Sequence, residues 1–205
     1  MNMMSQLAHH TIKAIITAFI YCLPLLSQAQ EIPRLPDSNV EVAYLSPDAP
    51  SFTETIPIFR EKFNLNNPAT PLYEYKVIAN NDISTPYIRA ATRINPRFYS
   101  SAVLERGSEK IKSLQLTLLP SDDPIQAQAD LKLAEQYMIA LIHQVDPTIP
   151  LDKAPELNLV LKNFMATNNH NQADETRLGA IRYILVKSTD NILTFAVEPI
   201  KLFIN

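Results

Sequence analysis

A regular alternation of leucine with polar residues constrains the fold of this chain more than any other feature. Leu114, Leu116 and Leu118 fall on one face of an extended segment. The residues on the other face are Ser113, Gln115 and Thr117. A period of two is the pattern of a half-buried β-strand. The sequence therefore predicts a sheet with one covered face and one polar face.

Two hairpins are predicted around strands of this kind. The first runs over 98–106 and returns over 110–119, with the glycine turn Gly107-Ser108 between the two strands. The second hairpin joins a strand over 177–187 to a strand over 192–202 through a short polar turn. Both pairs are rich in branched and aromatic residues and are bounded by turn-forming residues, which is typical of hairpins.

A first helix is predicted just before these strands. Apolar residues over 52–63 recur at helical spacing and would share one face. Ser51 and Glu54 form a capping-box pattern at the start of this segment. Pro57 conflicts with a regular helix interior, so the helix either bends at this residue or begins near it.

Three further helices are expected along the chain. A short helix over 87–94 stops before Pro96, because a residue that precedes proline disfavours the helical conformation. A long helix with an apolar stripe begins at Asp122-Asp123-Pro124, where acidic side chains suit the helix dipole. Another helix is predicted over 152–166, followed by a polar loop over 168–175.

The order of these elements favours the α+β class, in which one antiparallel sheet built from two hairpins has helices packed on one face. We expect a single domain over 51–205. The segment 30–50 contains several prolines among polar residues and is predicted to be an extended leader.

Residues 1–29 have the form of a signal peptide. Lys13 precedes an apolar run over 14–26, which is shorter than the about 20 residues that a membrane-spanning helix needs. Small residues near Ala29 suit a cleavage site, so the chain is expected to be exported and cut there. A lipid anchor on Cys22 fits less well, because Tyr21 stands where such a site needs a small residue.

Composition excludes several functional classes. The chain has 2 glycines, so it cannot build a glycine-rich phosphate loop. It has 1 cysteine, which excludes a disulfide framework and a cysteine-based zinc site. The formal net charge of -3 argues against general nucleic-acid binding. Because its acidic pairs and histidines lack partners at ligand spacing, we expect no catalytic residues, no cofactor and no metal.

A row of arginines is the candidate interaction surface. Arg89, Arg93 and Arg97 recur every four residues and would share one face of the predicted short helix. Such a row suits an anionic ligand or an acidic envelope protein. Tyr87 and Tyr99 flank the row and would add the aromatic contacts that are common at interface centres.

Structural alternatives to this surface stay open. The arginines would then be ordinary solvated charges, or Arg93 would be buried and paired with Glu105 or Glu198. Glu198 also stands on an otherwise apolar strand, where pairing with an arginine such as Arg182 is expected to be structural before it is functional.

Five dispersed segments carry a resemblance to a known family. They are IFREKFN (58–64), RAATRIN (89–95), AVLERG (102–107), KIKS (110–113) and LTFAVEPIKL (193–202). In this order they resemble the YiiQ-like family of enterobacterial periplasmic proteins, a domain of unknown function, over roughly residues 45 to 203. The resemblance implies a signal peptide and a periplasmic location, and it brings no activity or site residues.

The leading functional hypothesis is therefore a non-enzymatic binding or accessory protein of the cell envelope. One alternative is a hydrolase-like periplasmic enzyme whose site has no recognisable motif. Another is an adaptor that contacts an envelope membrane protein through its basic segment. The mature chain is expected to contain no transmembrane segment.

Overall fold

The computed structural model describes residues 48–78, 85–147 and 173–201. This part of the chain forms two helices and seven strands. The helices are α1 (Ile56–Asn66) and α2 (Pro124–Val145). The strands are β1 (Lys76–Val77), β2 (Tyr87–Asn95), β3 (Phe98–Glu105), β4 (Ile111–Leu118), β5 (Ala173–Leu178), β6 (Ile181–Lys187) and β7 (Leu193–Pro199). The predicted signal peptide, nearly all of the leader and the predicted helix over 152–166 lie outside the described residues.

All described strands belong to one antiparallel sheet with the order β1-β2-β3-β4-β7-β6-β5. Both predicted hairpins are present, as β3–β4 and β6–β7. Each hairpin is extended by a strand that the sequence pattern did not predict, β2 in the first and β5 in the second. The sheet therefore consists of two three-stranded meanders, which are joined where β4 pairs with β7. The short β1 lies at one edge. The α+β class is confirmed, whereas a sheet of two hairpins alone is not.

The prediction of a short helix over 87–94 is wrong, because these residues form β2. The strand pairs along its length with β3, with Ala90 opposite Ala102. Pairing with β3 therefore overrides the local pattern here.

The prediction of a polar loop over 168–175 is also wrong for its described part, which belongs to β5. The predicted continuous strand over 177–187 is interrupted at Gly179, where φ is +56°. Glycine adopts this left-handed conformation without steric cost, so the chain turns there from β5 into β6. As an exposed edge strand, β5 carries polar side chains, and for this reason its sequence resembled a loop.

The start of α1 decides between the two readings of its proline. The helix begins at Ile56 with Thr55 as its N-cap residue, so Pro57 lies in the first turn, where no backbone N–H is required. The predicted capping box does not form. Instead, the backbone of Phe52 donates to the Ile111 carbonyl, and the backbone of Ile111 donates to the Glu54 carbonyl, which ties this segment to β4.

Both described helices pack on the same face of the sheet and form the core with it. The buried residues of α1 are Ile56, Phe59 and Phe63. Those of α2 in the core are Ala134, Tyr137, Met138, Ala140, Leu141 and Ile142. From the sheet side, Leu114, Leu116 and Leu118 join this core, which confirms the predicted alternation. The inward stripe thus holds the long helix against the centre of the sheet.

The second face of β4 is not solvated, contrary to the prediction of a half-buried strand. Ser113 is 0% exposed and Gln115 is 4% exposed. Their side chains form a hydrogen-bonded row. Ser101 Oγ donates to Gln115 Oε1, and Gln115 Nε2 donates to Ser113 Oγ, each at a distance of 3.5 Å. Polar residues on this face therefore reflect internal hydrogen bonding at the middle of a seven-stranded sheet and not contact with water.

Candidate functional site

Four of the five residues of the predicted interaction surface share one face of the sheet. Arg89 and Arg93 both lie on β2, and Ala90 between them points into the core, so the two arginines point to the opposite face. Tyr99 on β3 is paired with Arg93, and Tyr87 precedes Arg89 by one strand repeat. A spacing of four residues places side chains on the same face of a strand as well as of a helix, because four is a multiple of two.

Arg97 does not belong to this surface. It lies in the turn between β2 and β3, where its Nε and Nη2 donate to Asp130 Oδ2 of α2 at 2.9 and 2.7 Å. The Asp130 side chain is 4% exposed, whereas that of Arg97 is 31% exposed. The prediction that Arg97 extends the arginine row is therefore wrong. Arg97 instead anchors the turn to the long helix.

The structural alternative for Arg93 is wrong in its premise, because Arg93 is exposed. The buried carboxylate Glu198 is paired with Arg182, whose Nη2 donates to Glu198 Oε2 at 2.8 Å, and this confirms the expected contact. Burial raises the pKa of Glu198, and the hydrogen bond from Arg182 opposes that rise. Glu175 of β5 also accepts a hydrogen bond from Arg182 Nη1 at 3.4 Å. The three side chains Glu175, Arg182 and Glu198 therefore link β5, β6 and β7.

Ser100 lies buried between β4 and the chain before β1. It is 2% exposed, and its hydroxyl lies 2.6 Å from the hydroxyl of Tyr75. Its Oγ also donates to the Gln115 carbonyl at 3.2 Å. Burial raises the pKa of Tyr75 far above its ordinary value, so this phenol cannot act as a base near neutral pH. The pair is a structural link between the chain before β1 and the sheet.

The start of α2 differs from the rest of that helix in what it packs against. Asp123 caps the helix by accepting from the backbone N–H groups of Ile125 and Gln126, which confirms the expected capping role. In the following turns Ala127 is only half-buried and Leu131 is 39% exposed, although both belong to the apolar stripe. The stripe becomes buried only from Ala134 onward, so its first part faces an open space.

That space is a cleft of about 230 Å³ between the start of α2, the end of β4 and the β6–β7 turn. Its apolar walls include Leu118, Ala127, Leu131 and Leu193. Its polar lining includes Ser121, Asp130, Lys187 and Asn191. Because two turns of helix contribute an apolar stripe that the core does not cover, the cleft is suited to an apolar group of modest size.

The acid of the cleft is already satisfied by its neighbours. Asp130 accepts from Arg97 through one oxygen and, through the other, from Gln126 Nε2 at 3.0 Å and Asn95 Nδ2 at 3.5 Å. Lys187, at the end of β6, is half-buried and lines the same space. In the described part of the chain it has no hydrogen-bond or ion-pair partner. The cleft therefore combines apolar walls with one unneutralised cation.

Sequence reasoning missed this site for identifiable reasons. The pattern showed that Ala127 and Leu131 belong to the inward stripe, but it could not show that the sheet ends before it covers them. Lys187 was expected only as the last residue of a strand. The single available signal was an apolar stripe that begins right at the capped start of a helix, opposite a polar turn.

No metal centre is formed within residues 48–78, 85–147 and 173–201, because no group of three or more His, Cys, Asp and Glu side chains comes together there. Over the same ranges, neither helix has a stretch apolar enough to cross a bilayer.

Comparison with known proteins gives a consistent result. The family model described as Protein of unknown function (DUF1454) matches residues 14–205. The chain is 38% identical to the Uncharacterized protein YiiQ of Escherichia coli (strain K12) over 184 residues, which is 90% of each chain. No solved structure matches the chain. The resemblance seen in the dispersed segments is thereby confirmed over nearly the whole length.

Proposed function

We propose from its geometry that this member of the DUF1454 family is a non-enzymatic binding protein of the cell envelope. Its relatives supply no activity, because the function of the family is not known. The observation that carries this proposal is the cleft at the start of α2. Part of an apolar helix stripe is left uncovered there, and a cation lies beside it.

The polar groups of the cleft favour binding over catalysis. General acid-base chemistry needs a titratable group that can reach a substrate and exchange a proton with it. Asp130 is held by Arg97 and two amide groups, so its oxygens are occupied. Lys187 is the remaining charged group among the described lining residues. A lone lysine beside apolar walls serves to hold and orient a ligand.

The proposed location is the periplasm, after removal of residues 1–29. The support for it is the charged and apolar pattern before Ala29. A binding protein of this kind would meet ligands that cross the envelope or are released from its membranes.

A matched pair of substitutions on α2 tests the binding proposal. Ala127 lines the cleft, whereas Ala129 is exposed two residues further along the helix and does not line it. We expect Ala127→Phe to abolish binding of the small neutral apolar probe toluene, measured by NMR titration, because the introduced ring fills the cleft. Ala129→Phe should bind the probe like the wild type. Equal binding by both variants would show that the probe does not enter the cleft and would contradict the proposal.

A second candidate function is docking to an acidic envelope partner through Tyr87, Arg89, Arg93 and Tyr99. The observation that favours it is their common position on the sheet face opposite the helices. This surface includes the exposed Arg93 and the half-buried Arg89 and two tyrosines, a combination of cation and aromatic side chains that is common at protein interfaces.

A further inference from the structure

We propose that the cleft at the start of α2 binds a medium-chain fatty acid, with the alkyl chain along Leu118, Leu131 and Leu193 and the carboxylate at Lys187. This inference deepens the proposed binding function and rests on it. It names the ligand class from three properties of the cleft: its volume, the nature of its walls and its net charge.

The volume limits the ligand to a short or medium chain. The cleft measures about 230 Å³. A methylene group is about the size of a water molecule, so a cleft of this size holds a row of several methylene groups. Sites for drug-sized molecules are larger, about 300–1,000 Å³. A single alkyl chain of about eight carbons fits this volume, whereas a lipid with two long chains does not.

The walls explain why an alkyl chain is favoured over a polar solute. Leu118 and Leu193 are neighbours across β4 and β7 and form the sheet side of the cleft, and Ala127 and Leu131 form the helix side. Leu131 is 39% exposed in the absence of a ligand. Each methylene that is buried against such surfaces favours binding, because its apolar surface is removed from water. A chain between the two sides would cover the part of the stripe that the core leaves open.

The charge balance selects an anionic head group. Among the lining residues that the structure describes, the charged side chains are Asp130 and Lys187. Asp130 already receives the guanidinium of Arg97 and two amide donors, so its charge is compensated locally. Lys187 is half-buried and has no partner within the described residues. A partly desolvated ammonium gains from a charged hydrogen-bond acceptor, and a carboxylate at the end of a chain supplies one.

The test compares two ligands of the same length that differ in charge. Octanoate and octanol are titrated into the mature wild-type protein, and the signals of Ala127, Leu131 and Lys187 are followed by NMR. We expect both ligands to shift these signals and octanoate to bind at least about tenfold more tightly, a difference typical of one charge-assisted contact. Lys187→Met keeps the apolar stem of the side chain and should remove the preference for octanoate.

Lys132→Met is the matched control, because Lys132 is an exposed lysine on α2 that does not line the cleft. This variant should keep the full preference for octanoate. Equal affinities of the wild type for octanoate and octanol would overturn the fatty-acid assignment and leave the binding function intact. If neither ligand shifts the three signals and toluene also fails to bind, both proposals are wrong. An equal loss of preference in both lysine variants would show that overall charge, and not Lys187, selects the anion.

Discussion

The contact between Arg97 and Asp130 allows the sharpest test of the structure, because it replaces the surface role that the sequence suggested for Arg97. Arg97 donates two hydrogen bonds to a carboxylate that is 4% exposed. In Arg97→Met the carboxylate keeps only its amide donors, Asn95 and Gln126. A buried charge is then left without its counter-ion, so the folded state loses stability.

The size of this loss follows from the burial of the two partners. Removing one member of a fully buried ion pair costs about 3–5 kcal/mol. The Arg97 side chain is 31% exposed, so water can partly replace the guanidinium, and we expect a loss of about 2–3 kcal/mol. In a domain of this size, 1 kcal/mol shifts the melting temperature by about 2–4 °C. The variant should therefore melt about 4–12 °C below the wild type.

Arg89→Met is the matched control. Arg89 is a half-buried arginine of β2 that has no ion pair within the described residues, and its loss should change the free energy of unfolding by less than about 0.5 kcal/mol. Urea unfolding of Arg97→Met, of Asp130→Asn and of the double variant measures the coupling between the two partners, with Arg89→Met measured alongside. The double variant should lose less stability than the sum of the single losses. If Arg97→Met were as stable as Arg89→Met, the anchoring role of Arg97 would be refuted.

Four further outcomes are expected. Leu116→Asp should prevent folding, because Leu116 is 2% exposed in the core, whereas Leu65→Asp at the 80% exposed Leu65 should leave the melting curve unchanged. Burial raises the pKa of Glu198, so its carboxyl group binds a proton more tightly in the folded chain than in the unfolded chain. The resulting stability is present below the usual glutamate pKa and is lost as the pH rises through the raised pKa of the folded state. Glu198→Gln should remove this part of the pH dependence of urea unfolding above the usual glutamate pKa, and an unchanged profile would exclude Glu198 as its source. Replacing Arg89 and Arg93 by serine should abolish recovery of crosslinked envelope partners without lowering the melting temperature, and a large drop in that temperature would show a structural role instead. Osmotic shock should release a protein that begins at Gln30, whereas an acylated Cys22 or an intact Met1 would contradict export by cleavage near Ala29.

Gln115 shows how a correct pattern can lead to a wrong expectation. The alternation around it is typical of a strand with a wet face, and from the sequence alone Gln115→Asp is expected to be mild. In the structure Gln115 is 4% exposed and hydrogen-bonded to Ser101 and Ser113. We therefore expect Gln115→Asp to destabilise the fold, because it places a charge in a buried polar row.

Local periodicity was sufficient for the elements whose partners are also local. The alternation of Leu114, Leu116 and Leu118 predicted β4, and Asp123 predicted the start of α2, because a strand face and a helix cap are written in adjacent residues. Turn chemistry likewise predicted the hairpins β3–β4 and β6–β7. The α+β class follows from these elements alone.

Pairing between distant segments decided the rest. Residues 87–94 form a strand because β3 supplies their hydrogen bonds, and the polar β5 is a strand because β6 does so. The family was recognisable from dispersed segments, yet the cleft was not, since it depends on where the sheet stops beneath α2. Spacing brought Arg97 into a row with Arg89, but the buried Asp130, 33 residues further along the chain, draws it to the helix. A sequence records which side chains share an element, and only the packing of elements determines which charges meet and which apolar surfaces stay open.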